Sequence, residues 1–228
     1  MKPLIIIPAR GGSKGVPRKN IKLLNSIPLI HYTIKAAQQL FDNTLISVST
    51  DDEEIKKVAE QTNLVVPFLR PKELASDNSG TYEVLLHAID FYKKNGYEAD
   101  TIILLQPTSP FRTSSHIEEA LKLYSNEIDM VVSVKETKSN PYYILFEENE
   151  SGFLIKSKEA TFTRRQDCPK VWEYNGAIYI INIASLKKNT IGEFKKVIKY
   201  EMDEFSSHDI DTLFDWDMAE LIIKYNVK

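Results

Sequence analysis

The sequence predicts an α/β protein: a doubly wound, mostly parallel sheet with helices on both faces and one small antiparallel excursion. Three observations carry this expectation. Short apolar runs at residues 4–7, 45–49, 102–105 and 130–134 have the length and β-branching of strands buried on both faces. Segments with helical apolar spacing separate them. The alternation then breaks between about residues 136 and 172, where the chain turns polar, aromatic and short in period.

The elements follow in order. Residues 4–7 (Leu-Ile-Ile-Ile) open the sheet, and Pro8 with Arg10 ends the run. Ile30, Ile34, Ala37 and Leu40 share one face of a helix over about residues 28–41. Ile55, Val58 and Ala59 mark a second helix, with Asp51 or Asp52 as its cap. Val84, Leu85, Ala88 and Ile89 mark a third after Thr81. Ile117, Ala120, Leu121 and Tyr124 mark a fourth, entered through Thr113 and Ser114. Strands alternating with helices imply parallel pairing through right-handed crossovers. In the excursion, Tyr142, Tyr143, Leu145 and Phe146 suggest a strand and Ser151-Gly152 a turn, so this segment reads as a flap or a dimer contact. Residues 177–181 return as a core strand, 197–200 form an edge strand, and a last helix covers about 212–225. The whole, residues 1–228, reads as one domain with an insertion at about 136–173.

Composition narrows the function. With 43% hydrophobic residues the chain has enough apolar matter for a core. A net charge of -3 argues against a nucleic-acid coat or a polybasic membrane binder. No apolar stretch reaches the length of a membrane span. One cysteine, Cys168, precludes an intrachain disulfide and suits a reducing cytoplasm. The four histidines are scattered singly, without metal-ligand spacing, and read as packing or surface residues.

The charge is unevenly distributed. Residues 1–41 hold seven basic side chains and no acidic one. Five of the seven, Arg10, Lys14, Arg18, Lys19 and Lys22, surround the Pro-Ala-Arg-Gly-Gly-Ser-Lys-Gly segment that follows the first strand. Glycines there can turn backbone N–H groups toward one point, a cradle for phosphate oxygens. Open α/β sheets bind ligands at this end of their strands. The segment lacks both the P-loop spacing and the dinucleotide G-x-G-x-x-G spacing. It predicts an anion loop of another class, whose cations no neighbouring acid in the sequence offsets.

Residues 7–15, closing with Lys19 and Asn20, resemble the opening motif of the acylneuraminate cytidylyltransferases, the CMP-sialic acid synthetases. Related CMP-Kdo enzymes carry an arginine in place of the Ser-Lys-Gly lysine. Further segments match in order over about residues 4–222. Leu69-Arg70-Pro71, followed by Asp77, Ser79 and Thr81, is similar to the family's nucleoside-binding stretch, although Thr81 could equally cap its helix. Gln106, Thr108, Ser109 and Arg112 follow a core strand and offer a polyol clamp. Arg164-Arg165-Gln166 could grip a carboxylate with a fork that lysine lacks, or form a surface pair. Asn175-Gly176 follows. Asp209-Ile210-Asp211 places two carboxylates on one side of an extended chain, a hard oxygen site suited to Mg²⁺. Such a pair occurs also in capping boxes and in glycosyltransferases; Asp215 fits the first turn of the last helix.

The resemblance implies a Rossmann-like nucleotidyltransferase that transfers a cytidylyl group from CTP to an acidic nine-carbon sugar. It implies Arg10 and Lys14 on the triphosphate, with Lys19 and Asn20 near the reacting phosphate. Ala9, Gly11, Ser13, Arg70 and Ser79 are expected around the nucleotide. Gln106, Thr108, Ser109, Arg165, Gln166 and Asn175 are expected around the sugar, and Asp209 and Asp211 on Mg²⁺. It also implies a homodimer in which one subunit's excursion approaches the other's pocket. Sialic acid-binding members carry a second basic residue near position 143. Here Tyr143 stands there, a feature of legionaminic acid-type relatives. A nucleotide-sugar glycosyltransferase and a non-catalytic nucleotide-binding module are the alternative readings.

Overall fold

A computed structural model describes residues 1–75 and 80–225. The chain opens with β1 (Pro3–Pro8), a small hairpin of β2 (Leu23–Leu24) and β3 (Ile27–Pro28), and α1 (Leu29–Gln38). Then come β4 (Ile46–Ser49), α2 (Glu53–Glu60), α3 (Thr81–Lys94), β5 (Thr101–Leu104), α4 (Ser114–Lys122) and β6 (Met130–Glu136). The hairpin of β7 (Phe146–Glu148) and β8 (Leu154–Lys156) precedes β9 (Trp172–Asn182), α5 (Ile183–Leu186), β10 (Val197–Glu201) and α6 (Leu213–Tyr225).

Six strands form the main sheet in the order β10-β6-β9-β5-β1-β4. β1 runs parallel to β4 and β5, and β10 runs parallel to β6. β9 is the antiparallel member, wedged between β5 and β6. Alternate residues of β1 feed opposite faces. Ile5 and Ile7 pack with Ile30 and Ile34 of α1, Ile55 of α2 and Ile117 of α4. Leu4 and Ile6 pack with Leu85, Ala88 and Ile89 of α3 and with Leu186 of α5. This is the physical meaning of a doubly wound sheet: both faces of each central strand are core. Among the described residues no helix is long and apolar enough to cross a membrane.

Local chemistry sets the boundaries. Asp52 caps α2, accepting from Glu54 N at 2.8 Å and Ile55 N at 3.0 Å, so the cap is Asp52 and not Asp51. Thr113 caps α4 in a reciprocal box with His116. Thr81 is the first residue of α3 and does not cap it; Gly80 holds that position. Tyr142 and Tyr143 lie in a turn ahead of β7, because Asn140 Oδ1 accepts from Tyr142 N and closes the chain there.

A third apolar cluster sits beside the ends of the strands. It joins Val16, Leu24 and Leu29 to Ile210, Trp216 and Ala219. Val16 belongs to the glycine-rich loop and Ile210 to the segment ahead of α6. Their shared burial presses these two distant stretches together, and Lys22 covers the Trp216 ring at 4.2 Å.

Candidate active site

Beyond the C-terminal ends of β1 and β5 lies a cleft of about 620 Å³. That volume lies within the range of small-molecule sites. Its lining includes Arg10, Ser13, Lys14, Lys19 and Asn20 from the loop after β1. Arg70, Gly80, Thr81 and Val84 close one side, and Gln106 and Thr108 come from the loop after β5. Asp209 and Asp211 complete it.

The loop is braced from outside. Its cations do have acidic neighbours, supplied by the fold and invisible in the local sequence. Arg18 pairs with Asp52 and Glu54, and Lys19 Nζ reaches Asp211 Oδ1 at 3.0 Å and the Ile210 carbonyl at 2.6 Å. The expectation of uncompensated charge is corrected accordingly. The amides are not bare either. Ala9 is fully buried and its N–H donates to Ser49 O at 2.9 Å. The Gly11 N–H donates to Asp51 Oδ1 at 3.1 Å. Neither Ala9 nor Gly11 lines the cleft, whereas Ser13 does. Asn20 braces the loop by donating from Nδ2 to the Arg10 carbonyl at 3.0 Å.

The loop glycines serve close approach. A Cβ on Gly15 would lie 2.0 Å from the Asp211 carbonyl oxygen, and one on Gly11 would lie 2.7 Å from Asp52 Oδ2. The left-handed conformation falls instead on Arg18, with φ 56°.

The two carboxylates differ in setting. Asp211 is exposed beside Lys19, while Asp209 is half-buried. Burial lifts the Asp209 carboxyl above the ordinary range; the Thr108 hydroxyl opposes this and the neighbouring Asp211 charge adds to it. Ser109 is fully buried, and its hydroxyl lies 3.5 Å from Asp209 Oδ1. It therefore supports Asp209, correcting its expected place on a sugar. Asp215 accepts from Thr212 N at 2.7 Å and Asp211 N at 3.1 Å, which shapes the turn carrying the acidic pair into α6.

Two further expectations, for Asn175 and Arg112, are corrected. Asn175 is buried in a bulge of β9 opposite β6; it accepts from Ala177 N and donates to Ser207 Oγ at 2.8 Å, leaving nothing for a ligand. Its neighbour Gly176, with φ 77°, lines the cleft in its stead. Arg165 and Gln166 lie away from this cleft, in a turn ahead of β9 beside a separate cavity with Thr137 and Asn140. Arg112 is not at the sheet edge but buried, donating to Thr33 Oγ1 at 2.6 Å beneath the Gln106 loop. Ser79 and Asp77 lie outside the described residues. Sequence reasoning missed the role of Asp51, which binds the loop from the end of the neighbouring strand β4; its signal was an Asp-Asp pair straight after a core strand.

Comparison with known proteins gives a consistent picture. A family model described as Cytidylyltransferase matches residues 4–217. The post-translational flagellin modification protein B of Campylobacter coli is 36% identical, covering 97% of this chain and 94% of its own length. The CMP-N,N'-diacetyllegionaminic acid synthase of Legionella pneumophila is 34% identical, covering 99% and 98%. The N-acylneuraminate cytidylyltransferase of Streptococcus agalactiae serotype V is 35% identical over 95% of this chain, which spans only 52% of that relative's length. Among solved structures, a CMP:2-keto-3-deoxy-manno-octonic acid synthetase complexed with CTP shares the fold, with TM-score 0.73, 15% identity and full coverage of both chains.

Proposed function

This chain belongs to the cytidylyltransferase family, and from that premise we propose that it joins CTP to a nonulosonic, sialic acid-like sugar, giving the CMP-sugar and pyrophosphate. The observation that carries the proposal is the meeting, in one cleft, of Arg10, Lys14 and Lys19 with Asp209 and Asp211. Tyr143 and the legionaminic acid synthase relative favour a legionaminic-type sugar.

In the proposed reaction the anomeric oxygen of the sugar attacks the α-phosphorus of CTP. The new O–P bond forms as the bond to the β-phosphate oxygen breaks, and the hydroxyl proton is lost. In-line transfer of this kind needs alignment and charge neutralisation more than a protein nucleophile. Arg10 and Lys14 hold the triphosphate and neutralise departing charge. Lys19, anchored on Ile210 and Asp211, faces the reacting phosphate, and Asn20 keeps the loop closed around it. Arg70 receives the nucleoside, with Ser79 as a further contact. Gln106 and Thr108 orient sugar hydroxyls.

Asp209 and Asp211 suit Mg²⁺: both are hard oxygen donors, both line the cleft, and the Asp211 charge acts on Asp209. Two carboxylates leave coordination positions for phosphate oxygens and water. When bound, the ion would neutralise charge on the entering and leaving oxygens.

The proposal includes a homodimer. Phe153, Leu154 and Ile155 project from the excursion with 69%, 69% and 52% of their surface exposed, an apolar tip suited to a second protomer. Arg165 and Gln166, remote from their own cleft, would then serve the partner's, where an arginine fork suits the sugar carboxylate. A reducing cytoplasm suits a single-cysteine chain using CTP. Pyrophosphate release, measured with CTP, Mg²⁺ and a panel of acidic sugars, tests the reading. Release should require both an acidic nonulosonic sugar and CTP; its absence across the panel overturns the proposal.

A further inference from the structure

The capping of α2 falls to Asp52, whose side chain accepts from the Glu54 and Ile55 amides. The Asp51 carboxylate turns the other way. One oxygen, Oδ1, accepts from the Gly11 N–H at 3.1 Å and lies 3.6 Å from Arg70 Nη2. The same atom thus links the phosphate loop to Arg70, which lines the cleft. Arg70 is only 5% exposed, and its backbone N–H is fixed on Thr50 O at 2.7 Å, next to Asp51 in the chain. Its Nε and Nη2 are buried without a hydrogen-bond partner among the described residues. Burial disfavours the Arg70 charge, Asp51 supports it, and nearby Arg10 opposes it. A buried guanidinium with open donors is costly until an acceptor arrives.

We infer that Asp51 is a positioning residue for the nucleotide: its carboxylate holds the Arg70 guanidinium in place at the wall of the cleft while fixing the loop that takes the phosphates. This rests on the cytidylyltransferase reading of the cleft. Asp51 itself does not touch the reacting atoms. It couples the two halves of the nucleotide site, so its loss should weaken CTP capture and spare the chemical step.

The test compares wild type, Asp51→Asn, Arg70→Met and the double variant. Asparagine keeps the volume and an acceptor for Gly11 but removes the charge. Asp51→Asn should raise KM for CTP about tenfold, leave kcat within about threefold, and leave KM for the sugar unchanged, with thermal unfolding near wild type. In the Arg70→Met background the Asp51→Asn effect on CTP should shrink to about twofold. CTP affinity by titration calorimetry should follow the same pattern. Wild-type turnover with an Asp51→Asn variant equal to it, or an undiminished effect in the Arg70→Met background, overturns the inference alone. Wild type that binds CTP but consumes no acidic sugar overturns the functional reading alone, and calorimetry still decides the role of Asp51. Wild type that binds no CTP overturns both.

Discussion

Lys19 and Asp211 stand 192 residues apart in sequence and meet at 3.0 Å, with the Lys19 ammonium also on the Ile210 carbonyl at 2.6 Å. The contact joins the loop after β1 to the acidic segment after β10. It brings the phosphate-binding and metal-binding halves of the proposed mechanism into one unit. Lys19 is buried, so its cation has a fixed position and not a swinging one. Lys19→Met should lower kcat by about 10²–10³-fold, the loss expected for one preorganised charge aimed at the transition state. Steady-state turnover near wild type would remove Lys19 from the mechanism.

Asp211 has the complementary prediction. Its side chain is exposed to the cleft and bonded to Lys19, while Asp209 lies deeper. Asp211→Asn keeps the shape and discards one charge. The Mg²⁺ concentration giving half-maximal rate should rise at least about tenfold, as for loss of a charged ligand. An unchanged metal titration refutes the ligand assignment.

Gly15 and Gly12 form a matched pair. A methyl on Gly15 would stand 2.0 Å from the backbone oxygen of Asp211, whereas a methyl on Gly12 meets nothing within 4 Å. Gly15→Ala should destabilise by about 1–3 kcal/mol through overpacking and displace the loop from the acidic pair. Gly12→Ala should stay within about 0.5 kcal/mol of wild type. Chemical denaturation of the two variants checks the difference, and equal stabilities would contradict the packing argument.

How far the sequence discloses this site depends on whether the contacts are local. Arg10, Lys14 and Gly15 were legible because glycines and cations crowd one window after a β-branched strand. The acidic pair was legible because Asp209 and Asp211 share a side of an extended segment. Asp51 was not, because its contact with Gly11 crosses from the end of β4 to the loop after β1, a neighbour relationship created by sheet order. Asn175 and Ser109 were misread because a polar residue inside a strand or in the loop beyond one can face inward or outward, and only the bulge in β9 and the burial of Ser109 decide which. The strand rhythm foretold the sheet but not the antiparallel insertion of β9 between the parallel pair β10-β6 and the parallel trio β5-β1-β4. A continuous apolar run looks the same in either direction.

Asp52 gives a pH dependence with a definite sign. Hydrogen bonding from Arg18, helped by the Glu54 and Ile55 amides, outweighs burial and holds its carboxyl below the ordinary range. A folded value below the unfolded one, about 3.9, means stabilisation that is present above that pH and lost as pH falls through the folded value. Asp52→Asn retains the helix cap and deletes the ion pair. Its thermal midpoint should lie below wild type at pH 7, with the gap closing below about pH 4. A gap that persists unchanged at pH 3 would show that the pair contributes nothing through ionisation.

Asn175 separates a binding role from a supporting one. Its carboxamide is enclosed, only 4% exposed. The oxygen accepts from Ser133 Oγ and from Ala177 N at 3.2 Å, and Nδ2 donates to Ser207 Oγ at 2.8 Å. Ser207 precedes Asp209 by two residues, so the network ties the β9 bulge to the segment ahead of α6 that carries the acidic pair. Asn175→Ala leaves two buried hydroxyls short of a partner, which costs about 1–3 kcal/mol. Thermal unfolding should therefore shift downward while KM for the sugar stays within about twofold, measured at a temperature where the variant is folded. The opposite pattern, unaltered stability with KM for the sugar raised tenfold or more, would return Asn175 to the sugar pocket. Because Ser207 and Asp209 share one short segment, a modest fall in kcat accompanying the stability loss is expected, and it should be mirrored by Ser207→Ala.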